Sequence, residues 1–539
     1  MIDNLISLQN NYQIFEFIMK LFNLFTFLLL IPFFVSCSDS ENNEEPVSEL
    51  KLVSVTPADG ATEVSPDITE IVLTYSEDVS VKPIGLMTIT LNDKIIKDDI
   101  TCSGKQVIIA LSNVAQSTTY KLYVPANAVI RAGSLASSTG AAAVNITFTT
   151  GKRRLDITPD VTADSNGMTS DAIAWTHKIY AGWNLGNSFE SLGANWDEST
   201  GSWTNTWVAD RNDWETGWGN PKTTQEMILA VKNAGFNAIR IPVRWYPHIT
   251  DQSTMEIDSR WLSRVKEVVD YCINNGMYVI INTHHELWME NHPFDSEASE
   301  ISKKEILLWK NIASYFRDYD EHLAFSGTNE VNVNWQEPTT ENQRVQNGFN
   351  QDFIKAVRQT GGRNWYRNLI VQTYSTNPEW GIKWFETPTD VVDNRLIVEY
   401  HYYAPYDYCS GSYYYWGKAY EQYGTISPTS QESSITHLFG LLSENWHSQG
   451  LGIIMGESGV TYHVSGNDQE HQIENMKYYL TTVFSTAKSM GIAPFVWDNN
   501  AFGNGSEMFG IFDRNDNMNV RVPAFLEGIM DGAKTAYPN

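Results

Sequence analysis

"LAFSGTNEVN" (323–332) is an apolar run that stops at a carboxylate, Glu330, with an amide beside it at Asn329. Read alone, it is either a buried strand that delivers an acid or a strand that ends in any loop. The rest of the chain decides. Comparable runs recur as "YAGWNLGN" (180–187), "FNAIRIPV" (236–243), "MYVIINTHHE" (277–286), "NLIVQTYS" (368–375), "RLIVEYHYY" (395–403), "LGIIMGES" (451–458) and "IAPFVWDNN" (492–500). Between them lie helix-like stretches such as "TTQEMILAVKNAG" (223–235), "DSRWLSRVKEVVDYCINNG" (258–276) and "ENMKYYLTTVFSTAKSMG" (474–491). Several carry apolar residues at i, i+3 and i+4 and several end in glycine. The runs are continuous rather than alternating, as parallel strands covered by helices require. Eight of them in the α/β order predict a (β/α)8 TIM barrel over 169–539, after a linker at 151–168. No Gly-rich phosphate loop follows the first run, so a nucleotide-binding sheet has little support.

The chain has 539 residues, of which 42% are apolar and 12% aromatic, with Trp 18 and Tyr 26. That is enough for a large core, with aromatic surface to spare. A formal net charge of −27 disfavours nucleic acid and anionic membrane faces as partners. A neutral ligand stacked on rings fits this balance, and sugars meet both conditions.

Ahead of the barrel pattern the composition differs. From Met19, one lysine precedes an apolar run ending at Val35, followed by Ser36 and Cys37. The run is shorter than the roughly 20 residues of a membrane-spanning helix and fits a signal region, 1–36, with translation starting at Met19. It resembles a bacterial lipoprotein signal, with lipid on the Cys37 thiol and an acidic tether over 37–49 like the surface-export signals of Bacteroidetes lipoproteins. The resemblance implies anchoring of the mature chain to an outer membrane, although nothing in it spans one. The segments "IVLTYSEDV" (71–79), "KQVIIALS" (105–112), "TYKLYVPANAV" (119–129) and "AAVNITFTT" (142–150) are short, β-rich and separated by turns. They predict an all-β sandwich over 50–150 that resembles bacterial Ig-like modules, here read as a spacer. Cys102, Cys272 and Cys409 are too widely spaced for a disulfide framework or a Cys-rich metal site and are read as packing residues.

In a barrel, chemistry gathers where strands end at their C-terminal face. Every candidate strand here finishes in polar or aromatic residues, and eight such endings in register are hard to explain as turns. Glu330 and Glu457 each follow a core-like strand, the fourth and the seventh. Opposed carboxylates are what glycoside hydrolysis needs: one protonated acid for the leaving group, one ionised nucleophile or base.

The segments "GWNLGNSFE" (182–190), "ETGWGNPKTTQEMILAVKNAGFNAIRIPVRW" (215–245), "VIINTHHE" (279–286), "GTNE" (327–330), "VEYHYYAP" (398–405), "IIMGESG" (453–459) and "FVWDNN" (495–500) together resemble glycoside hydrolase family 5, most of all its subfamily 4. The resemblance implies a retaining endo-β-1,4-glucanase without a cofactor, acting as a monomer on cellulose, mixed-linkage glucan or xyloglucan. Glu330 matches the acid/base and Glu457 the nucleophile. Asn329 matches the amide that binds the 2-hydroxyl at the cleavage subsite, and Arg240 the cation that orients Glu457. Tyr403 and His401 match partners near Glu457, His285 and His284 the strand-three histidines, and Trp497 the platform under the sugar. Asn187 and Asn499 add polar contacts. The family usually carries a glutamate after the strand-four phenylalanine and a proline after the acid/base; here those positions are Ser326 and Val331.

Other readings are weaker or open. "HHE" (284–286) follows a strand and lacks the His-Glu-x-x-His spacing of a zinc helix, so no metal is expected. His248 is placed either in the site as a sugar contact or in the core. Trp335 and Trp416 are the best candidates for further sugar platforms. A noncatalytic glycan-binding protein on a decayed barrel is the alternative of another class, opposed by the retention of both glutamates.

Overall fold

The computed structural model describes residues 49–538 except 113, 192–194, 198–201, 205–210 and 504. The signal region, the tether and Cys37 lie outside the described residues. The chain divides into two compact units after Gly151.

The first unit is a β-sandwich whose strands pair antiparallel apart from Ala61–Val64, which runs parallel to Val144–Thr150. One sheet runs in the order Leu52–Thr56, Glu70–Tyr75, Gln106–Ala110, Ile100–Ser103, and the other is built around Val144–Thr150 and Thr119–Val124. Its strands alternate buried and exposed, because one face meets the core and the other meets water. Ile71, Leu73, Val107, Ile109, Leu122 and Phe148 fill the space between the sheets. Cys102 is exposed on an outer strand, so it is not the packing residue it was read as; Cys272 and Cys409 are buried.

In the second unit eight parallel strands close into a barrel: β1 (Gly182–Leu185), β2 (Ala238–Ile241), β3 (Tyr278–Asn282), β4 (Leu323–Ser326), β5 (Leu369–Gln372), β6 (Leu396–Tyr402), β7 (Gly452–Ser458) and β8 (Ile492–Asp498). Each predicted run supplies one strand, and these are buried almost throughout. Helices cover the outside through amphipathic faces: Ser259–Ile273 buries Trp261, Val265, Val268, Val269 and Cys272 at helical spacing and starts on the side chain of Asp258. The stretch read as a linker lies along this unit, with Asp160 N–H donating to the Gln359 carbonyl and Asp164 N–H to that of Gly362.

The barrel interior is layered along its axis. At the N-terminal end Ala238, Ile280, Ala324, Ile370, Ile397, Ile454 and Phe495 point inward. Helix Ala172–His177 closes that end with Trp175, whose indole N–H donates to the Glu321 carbonyl at 2.6 Å. Two residues further along each strand the side chain again faces inward, and on β1 to β6 these next positions are polar: Asn184, Arg240, Asn282, Ser326, Gln372 and Glu399. The sequence thus stacks a polar layer on an apolar plug.

Gly182 fits because a Cβ there would lie 2.1 Å from the Phe495 ring. Gly182→Ala is expected to destabilise the barrel by about 1–3 kcal/mol through overpacking, read as a lower urea midpoint.

Candidate active site

The polar layer is organised by Arg240, which is wholly buried. Its Nη1 donates to Asn184 Oδ1 at 3.0 Å and to Glu457 Oε1 at 2.9 Å, and its Nη2 donates to Asn329 Oδ1 at 2.8 Å. Its Nε lies 3.0 Å from Glu399 Oε1 in an ion pair. Thus one guanidinium gathers groups from β1, β6 and β7 and from the segment that follows β4.

Glu457 reaches this position by a slip in register. Tyr400 on β6 pairs with Met455, yet His401 pairs with Glu457, so Gly456 is an extra residue on β7. Strand alternation alone would turn Glu457 outward, because Ile454 already faces the interior; the slip turns it in. Asn184 Nδ2 holds the slipped segment by donating to the Gly456 carbonyl at 2.9 Å.

Glu330 arrives differently. It follows β4 in a left-handed backbone conformation, φ 51°, with its N–H donating to Gln372 Oε1 at 3.0 Å. His285 and Asn187 share this conformation; such residues persist where surrounding structure fixes them. Val331, where a proline was expected, is buried in an apolar cluster with Met289, Val345 and Phe349, and its carbonyl accepts from Ser375 N–H. Packing therefore anchors the chain beyond Glu330.

His401 joins the two glutamates. Its Nδ1 is 2.7 Å from Glu330 Oε1 and 3.6 Å from Glu457 Oε2, and its Nε2 is 3.3 Å from Glu399 Oε1. Burial works against charge on the ring, but Glu457, Glu330 and Glu399 outweigh it and raise its pKa to about 9. Burial likewise disfavours the charge on Glu399, yet Arg240, His401 and Ser326 pull its pKa to about 2. Glu330 is lowered, burial being outweighed by the His401 hydrogen bond, whereas burial raises Glu457 against the pull of His401 and Arg240. Tyr403 Oη also donates to Glu457 Oε2, at 3.1 Å.

Among the described residues neither His284 nor His285 forms an ion pair with a carboxylate, although Glu330 acts on His285 electrostatically. Burial lowers both pKa values, that of His285 to about 4, so both are neutral near pH 7. His284 lies parallel to Trp497 at a ring distance of 6.0 Å, and His285 packs edge-on against Trp218.

Asn187, His284, His285, Glu330, Trp335, His401, Tyr403, Glu457, Trp497 and Asn499 all line one cleft of about 1700 Å³ at the C-terminal ends of the strands. Asn499 also donates to the Glu507 carbonyl at 2.7 Å. Trp335 is 60% exposed at the cleft, with its N–H held by Asn332 Oδ1. Two expectations are corrected. Trp416 is no platform: it is buried, edge-on to Tyr479, with its indole N–H donating to the Ser430 carbonyl. His248 does not line the cleft but is buried and stacked on Trp261 at 3.8 Å.

One residue of the buried network was not singled out from sequence: Glu399. Its signal was a charge inside the apolar run "RLIVEYHYY", at an inward position of β6, while the expected inward glutamate of β4 was replaced by Ser326. Glu330, His401 and Glu457 each place one possible ligand atom within 4.8 Å of the others, so together they could hold a cation. Both ring nitrogens of His401 are already engaged with carboxylates.

Paired carboxylates at the open end of a parallel barrel define a barrel hydrolase of the glycosidase class. The pattern of the Cellulase (glycosyl hydrolase family 5) family matches residues 198–503, and that of the bacterial Ig-like domain matches 47–150. The chain belongs to glycosyl hydrolase family 5. It is 38% identical over 349 residues to a xyloglucan-specific endo-β-1,4-glucanase of Bacteroides ovatus, covering 63% of this chain and 67% of that protein. It is 33% identical over 345 residues to endoglucanase A of Ruminococcus albus, covering 63% and 86%. Among solved structures, the Bacteroides ovatus family 5 xyloglucanase bound to a XXXG heptasaccharide superposes with a TM-score of 0.65 at 28% identity, over 90% of this chain and all of that one (100%). A subfamily 4 broad-specificity endoglucanase of Ruminococcus champanellensis with bound cellotriose gives 0.58 at 32%, over 67% and 98%.

The raised pKa of His401 has a consequence for stability. Its folded value of about 9 lies above its ordinary 6.5, so the stabilisation from its charge is complete below 6.5 and lost as pH rises through about 9. Urea midpoints are expected to fall across that window, and His401→Gln should flatten the fall.

Proposed function

We propose that this protein is a retaining endo-β-1,4-glucanase in which Glu457 is the nucleophile and Glu330 the acid/base. The observation that carries the reading is the approach of Glu330 and Glu457 to within 4.8 Å across an open cleft. Retaining enzymes hold their carboxyl groups about 5–5.5 Å apart, whereas inverting ones leave room for a water between them. Glu457 attacks the anomeric carbon and the glycosidic C–O bond breaks as Glu330 protonates the departing oxygen. Glu330 then takes a proton from water, which attacks the same carbon and releases Glu457. Arg240 and Tyr403 both donate to Glu457 and stabilise the carboxylate that leaves and reforms in each cycle. Asn329, whose side-chain oxygen accepts from Arg240, is read as the amide that meets the 2-hydroxyl, and Trp497, which lines the cleft, as the platform under the sugar ring.

The acid must hold a proton at neutral pH, although Glu330 alone is drawn below the carboxylate range. His401 reconciles these demands. The hydrogen bond between Nδ1 and Glu330 Oε1 shares one proton, and the pair keeps it up to about pH 9. The proton that reaches the leaving group is drawn from this pair through Glu330.

Within β-glucans, we read xyloglucan as the preferred polymer. A cleft of about 1700 Å³ exceeds the roughly 300–1,000 Å³ of ordinary ligand pockets and leaves space for side branches. The names of several relatives point the same way. The lipoprotein-like signal supports display at the cell surface through Cys37; Cys37→Ala should then move the protein from the membrane fraction to the soluble one. Among the described residues no helix is long and apolar enough to cross a membrane.

Reducing-sugar release from carboxymethylcellulose, mixed-linkage glucan, xyloglucan and glucomannan, with product sizing, tests the reading. Xyloglucan is expected to be cut fastest, into mid-chain fragments with retained anomeric configuration by NMR. No release from any of the four would leave a glycan-binding protein instead. Glu457→Ala should lower turnover by roughly four orders of magnitude or more while oligosaccharide binding persists in calorimetry. Glu330→Ala should lose on the order of 10²- to 10⁴-fold on polymer, and far less on aryl glycosides whose leaving group needs no proton.

A further inference from the structure

Glu399 carries a charge into the barrel core, and nothing in the catalytic cycle uses it directly. Its carboxylate has no solvent exposure and makes three contacts from three strands. Ser326 Oγ of β4 donates to Oε2 at 2.6 Å, Arg240 Nε of β2 lies 3.0 Å from Oε1, and His401 Nε2, two residues along β6, lies 3.3 Å from Oε1. On the β7 side it meets the backbone of Gly456, where a Cβ would come within 2.1 Å of Oε1. The remaining charged groups of the cluster, Glu330 and Glu457, lie on the far sides of His401 and Arg240. Resting on the acid–base roles proposed above, we infer that Glu399 is a positioning residue that fixes the orientation and charge of His401 and, through it, the proton on Glu330.

The chemistry follows from the two ring nitrogens. An imidazole shared between two carboxylates is protonated on both nitrogens, and its ring cannot flip without breaking a charged hydrogen bond. With Glu399 below, Nε2–H is committed downward and Nδ1–H upward, toward the oxygen that must act as acid. Without that charge, a neutral ring would be free to choose its tautomer, and Glu330 would lose its proton source in half of the choices. Glu399 also links His401 to Arg240, so the state of the acid side and the state of the nucleophile side are tied through one buried carboxylate. Its seat depends on two small residues, Ser326 and Gly456. A glutamate at 326 would project from β4 into the space that this carboxylate fills. β4 and β6 therefore exchange roles here: the serine stands where an acid was expected, and the acid comes from two strands away.

Glu399→Gln keeps the shape and removes the charge. On soluble xyloglucan or mixed-linkage glucan, kcat is expected to fall on the order of 10- to 100-fold with KM within about twofold of wild type. In the full chain labelled at histidine, the His401 imidazolium should titrate about one pH unit or more below its wild-type value. The double variant Ser326→Glu/Glu399→Ser returns a carboxylate to the same space from β4. It should restore the His401 titration and most of kcat, and it serves as the test if Glu399→Gln does not fold. An unchanged His401 titration in Glu399→Gln, or an ordinary histidine titration in the folded double variant, would overturn the inference. The titration is read without substrate, so it stands apart from the test of glucanase activity.

Discussion

The structure turns on one interaction, the burial of the Arg240 guanidinium among carboxylates. A charge removed from water costs many kcal/mol unless its partners are close and well oriented. Here the partners form a chain of alternating sign: Glu457, Arg240, Glu399, His401 and Glu330, with His401 returning to within 3.6 Å of Glu457. Each cation bridges at least two carboxylates, Arg240 between Glu399 and Glu457 and His401 between Glu330 and Glu399, so loss of either cation strips the buried carboxylates of their shared partner. Much of the local irregularity serves this closure. The slip at Gly456 aims Glu457 at Arg240, the left-handed backbone at Glu330 lets its side chain meet His401, and Asn184 ties the slipped carbonyl to the guanidinium.

The three site histidines show how little the residue type alone decides. His284 and His285 make no ion pair of the kind that holds His401 between carboxylates, and burial then makes them neutral, with the pull of Glu330 on His285 too weak to offset it, while it fails to discharge His401. A neutral imidazole can shape a cleft and accept a hydroxyl. A charged one can hold a proton for another group. The division of labour among them follows from which strand each stands on.

Much of this was legible in the chain itself. The eight continuous apolar runs give the barrel because strands covered on both faces leave no polar alternation, and polar residues at their ends mark the open face. What sequence could not supply was parity beyond the strands. His248 and Trp416 sit in loops whose path back to the core depends on tertiary contacts, with Trp261 and Tyr479, that no local pattern encodes. Glu399 was hidden for the opposite reason: within a run of apolar residues a single acid looks like an interruption, and its meaning comes from Ser326, 73 positions earlier in the chain. Cys102 was misjudged because it stands on an edge strand whose residues from Thr101 to Ser103 are all exposed.

The plug at the foot of the barrel shapes the timing of events above it. Trp175, Phe495 and the isoleucines beside them fill the axis, and the charged layer over them is closed to solvent. Water cannot rise through the barrel to the anomeric carbon; it enters from the same mouth through which the polymer lies. While the leaving half of the chain occupies that mouth beside Glu330, the hydrolytic water has no place to stand. On the reading proposed above, departure of the first product is therefore the gate for the second chemical step. A solid floor thus imposes an order on the traffic across it.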